Sequence, residues 1–262
     1  MGTVLVVRGQ DGRVTLLGAG GLVPTLVGVL LLCAVSVVVL TLAGVRERFS
    51  STLAILRGAI QLAVISFVLT GVITSPIWVG VALLVMFSVA VLTSANRLGR
   101  SRRHLLAVLA GIGAGAGVSL VVVFATGALA PTPRYLLAIG GIIIGNSMGI
   151  TTLSARRFLE AADEHWDEVE GWLALGAQPL EATRRLARSA VNTALVPTID
   201  QTKTTGLVTL PGAFVGAIFG GLPPFEAGRF QIVVLAAILA SGAVAATLTV
   251  RLLGRVEQRP VH

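Results

Sequence analysis

Four places along the chain put groups capable of chemistry among apolar neighbours. Arg57 and Gln61 are four apart, which stacks them on one face of a helix where they could gate or support a polar passage. Asn146, Ser147 and Met148 sit midway along an apolar run, with Thr151 and Thr152 a turn further on. Asp200 and Lys203 are three apart and stand between Pro197 and Pro211. A polar group in hydrocarbon costs free energy, so such residues are the first candidates for a solute pathway. The amide of Asn146, the thioether of Met148 and the carboxylate of Asp200 are a candidate metal set. Asp200 with Lys203 could instead relay a proton or ion. Plain structural roles compete with each: snorkelling by Arg57, an interhelical hydrogen bond from Asn146, a local ion pair for Asp200 and Lys203.

Other chemistry is missing. The one lysine, Lys203, follows Thr202 and belongs to no glycine-rich phosphate loop, so the chain carries no P-loop for ATP. His104, His165 and His262 are far apart, and no His-Glu-x-x-His occurs. Cys33 is the single cysteine, which excludes an intrachain disulfide and a cysteine metal site. The expectation is a non-enzymatic protein.

The elements that must position these residues follow from composition. Of 262 residues, 55% are apolar and 12% charged, with a mean hydropathy of +0.90. Soluble domains carry about 25% charged residues, so the fold expected is all-α and polytopic in a membrane. Seven apolar stretches approach spanning length: residues 22–44, 52–74, 76–95, 105–130, 134–154, 206–221 and 230–253, the sixth short by itself. Ser75-Pro76 and Pro131-Thr132-Pro133 make tight connections. Residues 1–13 have no readable role, and the whole of 1–262 reads as one transmembrane domain.

The net charge of +8 reads as a topology signal rather than a nucleic-acid surface. With the N-terminus outside, 16 basic residues fall inside and four (Arg8, Arg13, Arg134 and Arg229) outside. The C-terminus is then cytoplasmic. Residues 155–203 are the one long polar segment, on the cytoplasmic side between spans five and six. Phe158, Ala162, Trp166, Val169 and Trp172 recur at helical spacing, among acidic residues that include Glu168. Gly176 and Pro179 end that helix and start another, in which Glu181 precedes Arg185 by four. A helix–turn–helix with Leu175, Gly176, Ala177, Gln178 and Pro179 at its tip is the expected result, shaped to dock on a partner.

Glycines recur on one face at 141, 145 and 149 and at 212, 216 and 220, and span four repeats the device at 111, 113, 115 and 117; most are expected to permit close helix contact. Pro197 and Pro211, followed by Gly212, are expected to interrupt one long helix over 191–221 and act as hinges of a moving or cargo-facing element.

Gly145-Asn146-Ser147-Met148, Leu173-Ala174-Leu175-Gly176-Ala177 and Pro197-Thr198-Ile199-Asp200 form an ordered series. Gly206-Leu207-Val208-Thr209-Leu210-Pro211-Gly212, Gly220-Gly221 and Phe230-Gln231-Ile232 continue it. The series resembles the FetB-type (YbbM-like) family of ABC-transporter permeases, over about residues 20–255, with Arg57 and Gln61 also matching its pattern. The resemblance implies an inner- or plasma-membrane permease that dimerises and exports a small solute, most readily a metal ion such as iron. It implies a separate ATPase, which would hold ATP and magnesium and dock on the Gly176 loop. Where the family carries two methionines after its Pro-Gly, this chain has Ala213, Phe214, Val215 and Ala217. A nucleotide-sugar is the alternative cargo, and a secondary transporter using Asp200 and Lys203 the alternative mechanism.

Overall fold

The computed structural model describes residues 6–8, 14–16, 19–45, 49–72 and 75–255, with side chains for 23–45, 49–66 and 75–255. The topology charges Arg13, Arg46, Arg48 and Arg259 lie outside the described residues. Two compact units divide the chain, Met1–Gly71 and Val72–His262.

The first unit opens with a short antiparallel pair, β1 (Val6–Arg8) and β2 (Val14–Leu16), with Val6 opposite Leu16. Two helices follow, α1 (Ala19–Leu42) and α2 (Ser50–Val72). Side chains such as Leu30, Leu32, Leu53 and Leu62 are exposed on them. A helix apolar on all sides is at home in lipid rather than water.

The second unit is a helical bundle. It comprises α3 (Pro76–Arg97), α4 (Arg102–Ala125), α5 (Pro133–Glu164), α6 (Trp166–Ala174), α7 (Pro179–Ala182), α8 (Arg184–Thr204), α9 (Gly212–Phe219) and α10 (Pro224–Leu253). The helix starts follow local chemistry. Pro76, Pro133 and Pro224 stand at first helical positions, where the missing N–H costs nothing. Ser101 Oγ accepts the Arg103 N–H at 3.2 Å, and Thr132 Oγ1 accepts the Tyr135 N–H at 3.4 Å.

Among the described residues, five helices are long and apolar enough to cross a membrane: Val23–Leu42 within α1, then α3, α4, α5 and α10. Within α2, Ser50–Ser66 is a shorter apolar helix. The sixth expected stretch does not form a span of its own. Only Gly212–Phe219 is helical there, about 12 Å long at 1.5 Å per residue. The segment 155–203 is also not wholly a protrusion. Ala194 of α8 is buried with Ile150 of α5 and Ala246 of α10, deep in the bundle. The crossing expected at 206–221 is therefore shared: α8 enters the bundle, a turn interrupts it, and α9 continues.

The expectation of a helix break at Pro197 is corrected, because α8 runs continuously through that residue. Proline removes one N–H, here the donor to the Thr193 carbonyl, and the packed helix tolerates the loss. The interruption falls at 205–211 instead.

Phe158, Val108, Ile112, Ala155 and Val250 form the larger core at one end of the bundle. Ile139, Ile143, Ile144 and Ala237 form a second toward the other end. Between them α4 lies directly on α10. A methyl group on Gly115 would collide with the Ser241 carbonyl oxygen, and one on Gly111 with the Thr249 hydroxyl. Thr249 Oγ1 uses this proximity to donate to the Ala107 carbonyl at 3.3 Å, and Arg103 Nη2 donates to the Leu253 carbonyl at 2.9 Å. The other glycine stripes behave differently. Gly145, Gly149, Gly212 and Gly216 have no atom within 4 Å of where a Cβ would stand. Close packing is thus the role of the α4 glycines only in part, since Gly117 is open as well.

Gly115→Leu is expected to lower stability by about 1–3 kcal/mol through overpacking. Gly117→Ala should be neutral or stabilising by up to about 1 kcal/mol through helix propensity. Thermal unfolding in detergent, followed by circular dichroism, checks both; equal stabilities for the two variants would contradict the close α4–α10 contact.

Candidate functional site

α5, α8 and α10 do not close fully against one another beside the 205–211 turn. They leave a cleft of about 160 Å³ walled by Ile142 and Asn146, by Thr198, Gln201 and Thr202, by Pro211 and Ala213, and by Gln231, Val234 and Ile238. The sequence periodicity explains the wall. Ile142 and Asn146 are four apart on α5, and Thr198, Gln201 and Thr202 share one face of α8.

Gln231 is 5% exposed, and its Oε1 has no hydrogen-bond partner. Buried polar atoms nearly always have one, so this oxygen is an unmet acceptor lining the cleft. Asn146 Nδ2 donates to the Ile142 carbonyl at 2.9 Å, leaving its Oδ1 as another acceptor. Thr202 Oγ1 donates to the Thr198 carbonyl at 2.8 Å. The lining is therefore neutral: amides and hydroxyls on an apolar frame.

The turn supplies its own hydrogen bonds. Thr204 Oγ1 donates to the Asp200 carbonyl at 3.0 Å, and Thr205 Oγ1 donates to the Gln201 carbonyl at 2.8 Å. The Val208 N–H returns to the Thr204 carbonyl at 2.9 Å and the Gly206 N–H to the Thr209 carbonyl at 2.8 Å. Gly206 sits at φ +86°, a conformation side chains oppose. Threonines thus cap the end of α8 where the backbone leaves the helix.

The expected pathway residues divide accordingly. Asn146 lines the cleft, and Pro211 forms part of its wall beside Gly212, the first residue of α9. Met148 does not join them. It lies two positions from Asn146, on the opposite side of α5, and packs into the core. Its carbonyl accepts from Thr152 Oγ1 at 2.7 Å. Thr151 is fully buried in helix packing. Asp200 and Lys203 pair with each other at 3.1 Å, both well exposed, on the side of α8 away from Thr198 and Thr202. Asn146, Met148 and Asp200 therefore do not converge on one metal ion. Arg57 and Gln61 belong to the first unit, where both are exposed on α2. Sequence reasoning did not single out Gln231, Gln201, Thr198 and Thr202, which line the cleft. Gln231 did carry a signal, as the one amide side chain in the apolar run 230–253.

The second site is the turn between α6 and α7. α5 extends to Glu164, so the expected first helix is split by His165 into the end of α5 and α6. α6 ends in a Schellman arrangement: the Gly176 N–H bonds the Leu173 carbonyl at 2.9 Å and the Ala177 N–H the Trp172 carbonyl at 3.0 Å. Gly176 has φ +88°, which is why glycine stands there. Leu175 is 83% exposed at the tip. Gln178 and Glu181 form a capping box ahead of Pro179. Arg185 pairs with Glu168 of α6, not with Glu181. That hydrogen bond holds the Glu168 carboxyl below its ordinary value.

Helices of spanning length, a broken helix beside a neutral polar cleft, and an exposed turn outside the bundle describe a polytopic membrane protein. The chain belongs to the UPF0014 family, described as an uncharacterised protein family, which it matches over residues 23–256. It is 38% identical over 200 residues to the UPF0014 membrane protein STAR2 of rice, covering 75% of this chain and 70% of that protein. It is 35% identical to Protein ALUMINUM SENSITIVE 3 of Arabidopsis thaliana (68% and 66% covered). It is 31% identical to the Probable iron export permease protein FetB of Escherichia coli (71% and 72% covered). No solved structure matches.

A depressed carboxyl contributes stability above its unfolded value and loses it as pH falls through the folded value. The α6–α8 tie is therefore expected to be complete at neutral pH and to be lost as pH falls through the lowered Glu168 midpoint. Side-chain NMR titration of Glu168 should give a midpoint below 4.5, and Arg185→Gln should return it to the ordinary carboxylate range. A midpoint unchanged by Arg185→Gln would refute the pairing.

Proposed function

We propose that this chain is the permease subunit of an ABC exporter, driven by a separate ATPase and working as a homodimer with two ATPase subunits. The observation that carries the reading is the position of α8. It leads from the exposed Leu175–Gly176 turn through α7 at one end to the neutral cleft and broken helix at the other. Such an element can convert partner motion outside the membrane into a change of cleft shape within it. The missing P-loop agrees with an ATPase on another chain.

The cargo proposed first is a metal ion, because a relative's name specifies iron export. Neutral amide and hydroxyl donors at Asn146, Gln201, Thr202 and Gln231 suit an ion that keeps water or another ligand. The same donors favour a second reading, a hydroxyl-rich solute such as a nucleotide-sugar, since unmet acceptors receive hydroxyl protons. The multi-pass chain is placed in the plasma or inner membrane with its N-terminus outside and the arginine-rich end of the bundle in the cytoplasm. It is expected to need no cofactor of its own and no nucleic acid.

The test is ATP hydrolysis and transport by the permease with its ATPase in lipid nanodiscs, titrated with ferrous iron, other divalent metals and nucleotide-sugars. Gly176→Trp should reduce cargo-stimulated hydrolysis by roughly tenfold or more, about 1.4 kcal/mol of coupling, with insertion unchanged. Unaltered stimulation in that variant would sink the coupling role. Gln231→Leu should abolish stimulation by the true cargo while leaving ATPase association intact; stimulation equal to the unaltered protein would remove Gln231 from the pathway.

A further inference from the structure

α8 and α10 form a second, larger recess at the end of the bundle where α10 terminates. Its volume is about 670 Å³. Arg184 and Arg188 enter it from the first two turns of α8, and Arg251 from the last turn of α10. All three are exposed, and none has an ion-pair partner among the described residues. The one carboxylate at the rim, Glu181, accepts from the Gln178 N–H at 3.2 Å and so is engaged in the α7 cap.

The recess changes character with depth. Positions 184, 188, 191 and 195 follow one stripe of α8 and rise about 16 Å. The stripe begins with two guanidinium groups and continues as Val191 and Leu195, with Val250 of α10 alongside. A cationic mouth that passes into a mainly apolar groove along the helices, with Asn192 and Thr247 as its polar side chains, matches an amphiphile with an anionic head and an acyl tail. Guanidinium groups bind phosphate oxygens through paired N–H donors. Basic recesses between helices at the cytoplasmic level are where anionic headgroups are held. A soluble acidic partner could reach the arginines but would leave the continuation along Val191 and Leu195 unfilled, whereas an acyl chain fills it.

We propose that this recess is a binding site for an anionic phospholipid of the inner leaflet, its phosphate held by Arg184, Arg188 and Arg251 and one acyl chain lying along Val191 and Leu195. The site is separate from the Asn146–Gln231 cleft and does not depend on which cargo the permease moves. Occupied, it would fasten the start of α8 to the end of α10.

The test is native mass spectrometry of the full-length permease in detergent, supplied with phosphatidylglycerol or with phosphatidylethanolamine, at equal concentration. The unaltered protein should retain phosphatidylglycerol preferentially, with millimolar inorganic phosphate failing to displace it. The triple variant Arg184→Gln/Arg188→Gln/Arg251→Gln should retain it about tenfold more weakly. Arg97→Gln/Arg100→Gln/Arg102→Gln, with the same charge removed from the α3–α4 connection, should retain it normally. Gel filtration and thermal unfolding confirm that each variant is folded. If the triple variant is unstable, the single reversal Arg188→Glu should still weaken retention. Equal retention of both lipids, equal loss in the two triple variants, or displacement by inorganic phosphate would overturn the proposal. So would a stable dimer that buries the three arginines against a second copy and carries no lipid.

Discussion

Inside hydrocarbon, each backbone N–H and C=O must find its partner within the protein, because no water is present to substitute. This constraint makes α3, α4, α5 and α10 long uninterrupted helices and gives the 205–211 turn its composition. Where α8 ends, the hydroxyls of Thr204 and Thr205 return to carbonyls one turn back, and the turn's own N–H groups close on Thr204 and Thr209. Three threonines and Gly206 thus allow a helix to stop beside the bundle interior without stranding its carbonyls. The interruption is what permits a polar cleft here: an uninterrupted α8 would continue past Gln231, leaving less room beside α10.

Composition and proline spacing made much of the fold legible. The apolar runs gave the location of α1, α3, α4, α5 and α10, and Pro76 and Pro133 marked two helix starts to within a residue. Which face of each helix turns inward was not legible. In a soluble helix the polar face identifies the outside, but here lipid and core are both apolar, and the contrast disappears. That is why Asn146, Met148 and Thr151 could be grouped on sequence although Asn146 faces the cleft and Met148 and Thr151 face the packing. Asp200 and Lys203 misled for a related reason: charge near a proline suggests a pathway, yet a pair three residues apart on an exposed helix face satisfies itself. Pro197 shows the limit of proline as a boundary signal. Packing at Ala190 and Ala194 holds α8 helical through the missing hydrogen bond.

The distribution of rigid and soft places follows from these contacts. The start of α8 is anchored three ways. Thr183 Oγ1 donates to the Pro179 carbonyl at 2.8 Å and lies 3.2 Å from the Gly254 carbonyl, Arg185 holds Glu168, and Leu186 is buried in the larger core. From there 21 residues of helix, about 30 Å, lead to Thr204. The compliant points on either side of α8 are therefore the turns at Gly176 and Gly206, where glycine has positive φ. The Thr193 carbonyl freed by Pro197 is the one softer place between them. A displacement applied at Leu175 is taken up at Pro197, stops at the anchored start, or moves the helix as a body. In the last case Thr198, Gln201 and Thr202 shift relative to Gln231, and the 205–211 turn takes up the difference while α9 stays in place. In the proposed exporter α8 would couple the exposed turn to cleft shape, which is the mechanical requirement an alternating-access permease has to meet.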